Sequence, residues 1–153
     1  MLVWRIAKRA HALDRIGTGA RLGGGRWNSQ GTPAIYAGMT PEIAALEKLV
    51  HTGETLPNDL VVVEITIPDD GLLYFRPEKS SLPPDWNVIP SSASAAVFGD
   101  QFITEGRYLG MIVPSAVMPE SMNIVINPNH PAMGEVVFTI AREFRFDPRF
   151  RPN

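Results

Sequence analysis

The chain has 153 residues, 44% hydrophobic and 20% charged, the proportions of an ordinary globular protein and a length that suits one core with no linker. With 14 Lys+Arg against 16 Asp+Glu the formal net charge is -2, which argues against the basic footprint of a protein that binds nucleic acid directly or coats an anionic membrane. There is no cysteine for a disulfide or a thiolate zinc site, the start MLVWRIAKRA lacks a signal-peptide core, and no run approaches the ~20 apolar residues of a membrane span; the expectation is a soluble cytoplasmic protein.

Fourteen prolines and thirteen glycines predict many short elements with specified turns. Leu2 to Ile6 reads as an opening strand with Trp4 and Ile6 on one side and Arg5 on the other, a placement that ordinarily leaves an Arg solvated. His11 to Gly25 is polar and glycine-rich, ending in Gly23-Gly24-Gly25, but it fits neither the dinucleotide fingerprint nor the Walker pattern. Ala34 to Ala37 is a brief strand carrying Tyr36, a packed aromatic or a site residue.

The best-marked helix follows, with Thr40 as N-cap, Pro41 at the first helical position, Glu42 in the first turn, Lys48 and His51 in the last, and Gly53 as stop. Helical phase predicts a buried arc of Ile43, Leu46 and Val50 with Glu47 inside it, while Glu42 and Lys48 face solvent. A carboxylate on a core-facing arc must be paired or line a cleft, so Glu47 is open between an ion pair with an Arg and a site role.

Leu60 to Ile67 is an apolar strand, Leu72 to Phe75 a short one, and Pro77 to Pro90 a loop. Ser91 or Ser92 caps a helix through about Thr104 that Gly99 weakens. Tyr108 to Val113, Met122 to Ile126 and Val136 to Phe146 read as strands, and Arg142 to Arg151 as a closing stretch with a solvated Arg face rather than a platform for single-stranded nucleic acid. Many short strands with two good helices and no regular alternation predict an α+β fold.

The three histidines, His11, His51 and His130, have no metal-binding spacing, and no serine lies in a nucleophile elbow. What remains is Arg26 beside the glycine turn as an anion grip, Tyr36 as a stacking platform and Glu47 as a cation-stabilising carboxylate.

GGRWN at Gly24 to Asn28, Gly-Thr-Pro then Ile-Tyr at Gly31 to Tyr36, ALE-x-LVH at Ala45 to His51, VPSAV-x-P at Val113 to Pro119, N-x-x-x-NP-x-HP at Asn123 to Pro131 and FDPR at Phe146 to Arg149 together resemble the RES domain family. The resemblance runs over nearly the whole chain, which it implies is one RES domain over residues 1–153, and the family's name-giving Arg, Glu and Ser fall on Arg26, Glu47 and Ser115. It implies a toxin of a bacterial toxin–antitoxin pair with an Xre-like helix-turn-helix antitoxin, a fold like that of ADP-ribosyltransferase toxins with short, mostly antiparallel strands around a cleft, and NAD as substrate rather than cofactor. A homodimer within the toxin–antitoxin complex is compatible with it. Departures are Phe102 where a Trp is expected, Gly38 where Ser is commoner, and Lys48 directly after the Glu.

The implied reaction breaks the nicotinamide–ribose bond through an oxocarbenium-like ribosyl cation, the electronic problem that glycosidases solve with carboxylates. Glu47 would stabilise the cation, Arg26 would hold the pyrophosphate and Tyr36 would stack on nicotinamide. Ser115 and Asn123 would offer hydrogen bonds to NAD, and Arg5 is a candidate for a second anion contact. No metal is called for, because the leaving group is already cationic. Hydrolysis, phosphorolysis and transfer of ADP-ribose to a protein remain open, as does a nucleotide-binding module without turnover.

Overall fold

The computed structural model describes residues 1–150. Strand β3 (Leu60–Thr66) carries Val61, Val63 and Ile65 to one side and Leu60 and Val62 to the other, so it needs cover on both faces. It receives that cover as an inner strand of one seven-stranded sheet in the order β4-β5-β6-β2-β1-β3-β7. The other strands are β1 (Leu2–Lys8), β2 (Ile35–Gly38), β4 (Tyr74–Phe75), β5 (Gly110–Pro114), β6 (Met122–Ile126) and β7 (Val137–Phe144). Pairing is antiparallel throughout except between β4 and β5, as the α+β expectation requires.

Three helices complete the fold: α1 (Thr18–Gly23), α2 (Pro41–Val50) and α3 (Ala93–Glu105). One face of the sheet carries a large apolar cluster that includes Val3, Ala37, Val63, Ile112 and Ile124. On the other face, α3 packs Ala95, Phe102 and Ile103 with Trp27, Met111, Val113 and Val125, while α2 packs Ala44, Ala45 and Leu49 with Ile6, Leu60 and Val62.

The sheet is nearly divided down its middle. Strands β1 and β3 pair along seven positions from Leu2↔Thr66 to Lys8↔Leu60, whereas β1 and β2 share a single pair, Trp4↔Gly38. Past that point β1 leaves its neighbour, and the sheet becomes two halves, β4-β5-β6-β2 and β1-β3-β7.

Helix α2 lies across this junction, in contact with β1, β2 and β6. The Thr40 side chain caps it by accepting from the Ile43 N–H, with Pro41 in the first turn, as the sequence predicts. Close approach explains Gly38: a Cβ there would lie 2.7 Å from both the Ala44 nitrogen and the Ile43 Cγ2. The helix buries Ile43 and Ala44, but Val50, expected in the buried arc, is 50% exposed. Val50 shares the stripe of Ile43 and Glu47 but sits in the last turn, where Leu49 turns into the apolar cluster instead.

Other differences are local. The segment expected to be irregular before Gly25 contains α1, a single short turn that propensity does not announce in TGARLG. Tyr74–Phe75 alone of the Leu72 to Phe75 segment is strand, the preceding residues forming a 3-10 turn capped by Asp70. Strand β7 ends at Phe144 rather than Phe146, and Arg151 of the Arg/Phe stretch lies outside the described residues. Helix α3 starts after Ser92, whose hydroxyl accepts from Ala95 N–H, and Gly99 is the point where it meets the backbone of Trp27. No helix among the described residues is long and apolar enough to cross a membrane.

Candidate active site

Register brings the first part of the site together. Val113 pairs with Asn123, Asn123 with Gly38 and Gly38 with Trp4, so one row of the sheet crosses four strands on the face that α2 covers. The next row on that face holds Met111, Val125 and Tyr36. Asn123 therefore sits beneath α2, and Glu47 comes down onto it from the helix.

Glu47 is half-buried, and its Oε1 accepts two hydrogen bonds, from Asn123 Nδ2 at 2.6 Å and from Ser115 Oγ at 2.7 Å. Neither donor is charged, and the ion pair with an Arg that the sequence leaves open for Glu47 is absent among the described residues. Ser115 is fully buried at the end of β5, and its hydroxyl oxygen also accepts from the Val117 and Met118 N–H groups at 3.1 Å each. That turn fixes the serine, and the serine fixes the carboxylate. Glu47 Oε2 makes no hydrogen bond among the described residues, which leaves one carboxylate oxygen seated and the other available. Asn123 Oδ1 is buried and has no hydrogen-bond partner among the described residues, an isolation that costs an acceptor about 1–3 kcal/mol.

Tyr36 forms a second centre. Its hydroxyl donates to Asn28 Oδ1 at 2.7 Å and accepts from the Trp27 N–H at 3.0 Å, which locks the ring against the turn after the glycines. Burial pushes the Tyr36 phenol well above its ordinary range, with Asp100 adding to the rise, while the Trp27 N–H and the Arg26 charge oppose it. It stays neutral at physiological pH and presents an aromatic surface rather than a base. Asn28, which the sequence reading passed over, is the organiser: buried, it donates from Nδ2 to the carbonyls of Ala20, Ser29 and Thr32. Its only sequence signal is its place in GGRWN, because its partners are set by the turn's path.

Arg26 is more committed than a free anion grip. Its Nη1 donates to the Trp86 carbonyl at 2.8 Å and the Val88 carbonyl at 2.9 Å, tying the glycine turn to the loop before α3. Trp27 stacks on Trp86 beside it, with centroids 6.4 Å apart and planes 16° from parallel. The other guanidinium nitrogens keep their donors. Arg5 departs from the solvated expectation: it is half-buried on β1, one residue beyond the Trp4↔Gly38 pair, and burial lowers its pKa, with Asp14 acting the other way. Lys48, expected to face solvent, is likewise half-buried.

Glu47, Ser115 and Asn123 thus form one bonded group, Tyr36 lies a row away on the same sheet face, and Arg26 is near enough for its charge to act on Tyr36. Arg5 stands on the other half of the divided sheet. Among the described residues no group of His, Asp and Glu could hold a metal ion.

The site is thus a carboxylate carried by α2 and seated on the β5–β6 half of an α+β sheet that is split at a single pair. The RES domain model matches residues 2–147, and the chain belongs to the RES domain family. It is 36% identical over 151 residues to a protein of Sphingobium sp. (strain YBL2) named Prs ADP-ribosylating toxin, covering 95% of this chain and 94% of that one. It is 32% identical to Toxin Res of Photorhabdus laumondii, covering 97% and 96% of the two chains, and 30% identical to Toxin Res of Yersinia enterocolitica, covering 99% and 100%. The fold is also that of a chain in the crystal structure of the M. tuberculosis MbcT-MbcA toxin-antitoxin complex, with a TM-score of 0.67 at 19% identity over 98% of this chain and 86% of that one.

Proposed function

We propose that this protein is the toxin of a bacterial toxin–antitoxin pair and that it cleaves the nicotinamide–ribose bond of NAD. The observation that carries the reading is Glu47, whose Oε1 is held by Ser115 and Asn123 while Oε2 has no hydrogen bond among the described residues. Membership of the RES family and the toxin names of relatives over almost their full length support the biological role.

In this reading the C–N bond breaks heterolytically, its electron pair leaves with nicotinamide, and the ribosyl carbon becomes oxocarbenium-like. A carboxylate oxygen already fixed in place stabilises that charge without reorganising at the moment of reaction. Ser115 and Asn123 act through Glu47 by holding its other oxygen. Tyr36, held at its hydroxyl, offers its ring to nicotinamide, and Arg26 and Arg5 hold the pyrophosphate from the two sides of the split sheet. Water, phosphate or a protein nucleophile then takes the cation, losing a proton in the process.

Purified protein incubated with NAD, with and without phosphate, tests the proposal by nicotinamide release. Absence of turnover in both conditions overturns the enzymatic reading. A second reading, transfer of ADP-ribose to a protein, is favoured by the name of the Sphingobium relative, and labelled NAD distinguishes it by label fixed on protein. The partner belongs to the same proposal: an Xre-like helix-turn-helix antitoxin, whose co-purification as a defined complex and suppression of toxicity test it.

A further inference from the structure

The turn that carries Arg26 and Trp27 has little of its own to hold it in shape. It closes on itself through one bridge, in which the Gly25 N–H reaches the Asn28 carbonyl at 2.9 Å and the Asn28 N–H returns to the Gly25 carbonyl at 3.5 Å. The second of these lies at the outer limit of a hydrogen bond. Gly23, Gly24 and Gly25 on its leading side widen the choice of backbone conformations, so the path of the turn depends on what its neighbours impose.

Helix α3 imposes it from the far side through three consecutive residues. Phe98 meets the Trp27 ring edge-on, with centroids 6.1 Å apart. Gly99 lets the helix come so close that a Cβ there would lie 1.8 Å from the Trp27 carbonyl oxygen. Asp100 Oδ1 then accepts from the Ser29 N–H at 2.8 Å. Between the two residues held by the helix sits Asn28, whose Oδ1 receives the Tyr36 hydroxyl. Asp100 is half-buried and takes part in no ion pair among the described residues, where the pairs are Met1 with Asp69, Arg9 with Glu143, and Arg149 with Asp147. Its charge is directed at a backbone N–H instead, and such a charge-assisted bond is roughly twice as strong as a neutral one.

We propose that Asp100 is a positioning residue for substrate binding: its hydrogen bond to Ser29, beside the close contact at Gly99, holds the turn so that Arg26 and Tyr36 face the ligand at a fixed separation. The Glu47 seat is built from α2, β5 and the first part of β6 and uses none of these contacts. The two groups of residues therefore govern different steps, α3 and its turn the binding of the substrate, and Glu47 with its two donors the breaking of the bond. The kinetic side of this inference rests on the NAD reading, and the structural side does not.

Wild type, Asp100→Ala, Asp100→Asn and the exposed control Gln101→Ala are compared by amide hydrogen exchange without ligand and by nicotinamide release from NAD. Loss of the charge-assisted bond speeds exchange of the segment from Gly24 to Ser29 roughly tenfold in Asp100→Ala. It raises KM roughly tenfold with kcat little changed, the pattern of lost ground-state binding, whereas a substitution that only unfolds part of the sample lowers kcat and leaves KM alone. Asp100→Asn keeps an acceptor oxygen in the same place and returns both quantities to within about threefold of wild type, and Gln101→Ala changes neither. Exchange of this segment unchanged in folded Asp100→Ala, a KM equal to wild type, or an Asp100→Asn protein as impaired as Asp100→Ala overturns the proposal. Asp100→Glu, which displaces the carboxylate by one methylene, decides it in the same way should Asp100→Ala not fold. A wild type that releases no nicotinamide sinks the NAD reading instead, and exchange alone then decides whether Asp100 holds the turn.

Discussion

Replacing Glu47 by Gln is the sharpest probe of the carboxylate, because the structure dictates how the amide must sit. Ser115 Oγ and Asn123 Nδ2 both donate to Oε1, at 2.7 and 2.6 Å, so the Gln carbonyl must take that position and its NH2 must take the place of Oε2. Both hydrogen bonds survive, each losing about 1 kcal/mol on going from a charged to a neutral acceptor, and the hydration cost of a half-buried charge disappears at the same time. Folding stability is therefore expected to stay within about 1–2 kcal/mol of wild type, a shift of a few degrees in Tm. Chemistry is affected far more: an acceptor aimed at a developing cation has become a donor, and kcat is expected to fall roughly 10²- to 10³-fold, or about 3–4 kcal/mol, with KM little changed. Nicotinamide release under saturating NAD, beside a thermal melt, is the assay. A folded Glu47→Gln protein that turns over at the wild-type rate refutes the assignment of Glu47.

Ser115→Ala removes one of the two donors to Glu47 and the acceptor for two turn N–H groups, so it should lower kcat about tenfold or more with KM unchanged. Paired with Asn123→Ala it should show sub-additive losses, since both donors hold one oxygen; strict additivity in a double-mutant cycle would count against the shared seat. Asn123→Asp places a second carboxylate where Nδ2 now lies 2.6 Å from Glu47, and like charges raise the pKa of the pair above the unfolded value. A raised acid pKa means that the folded state is favoured while the pair keeps a proton and loses stability once pH passes the unfolded value, so Tm of this variant relative to wild type should drop as pH rises above about 4. The wild type carries the same sign at alkaline pH: burial, then Asp69, Asp70 and Glu135, push Tyr74 up to about 12, and burial also raises Tyr36, so stability should fall as pH climbs above about 10. Gly38→Ala drives a Cβ into the backbone of Ala44 and should cost about 2 kcal/mol or more in urea melts, with activity falling as α2 is displaced.

What could be read from the sequence was whatever depends on neighbours along the chain. The cap of α2 is such a case, as Thr40 and Pro41 act on groups within one turn, and β6 falls on the expected Met122–Ile126. Glu47 stood out because a charge on an apolar stripe needs a reason, and the structure supplies Ser115 and Asn123, which lie 68 and 76 residues further on. Distance along the chain also hid the rest. Arg26 spends one nitrogen on carbonyls 60 and 62 residues away, and a backbone acceptor has no residue type to betray it. Burial of Arg5 and Lys48 follows from the way β1 parts from β2 and α2 crosses the gap, which no periodicity encodes. Val50 was misplaced because phase gives the direction of a side chain but not whether the partner surface extends that far.

The register of β7 against β3 shifts between Val62 and Val63: Arg142 faces Val62 and Ile140 faces Val63, so Ala141 is an extra residue in the outer strand. Strand β7 is eight residues long and forms one border of the sheet, the shape that invites an unrelated chain to add itself by backbone pairing. The bulge bends that border just before Arg142 and Glu143, so a flat incoming strand would meet a kink and two charges together. A protein folding in a crowded cell is thereby given a border that resists fibrillar stacking, and a deletion of Ala141 that straightened it should show itself first as aggregation during expression.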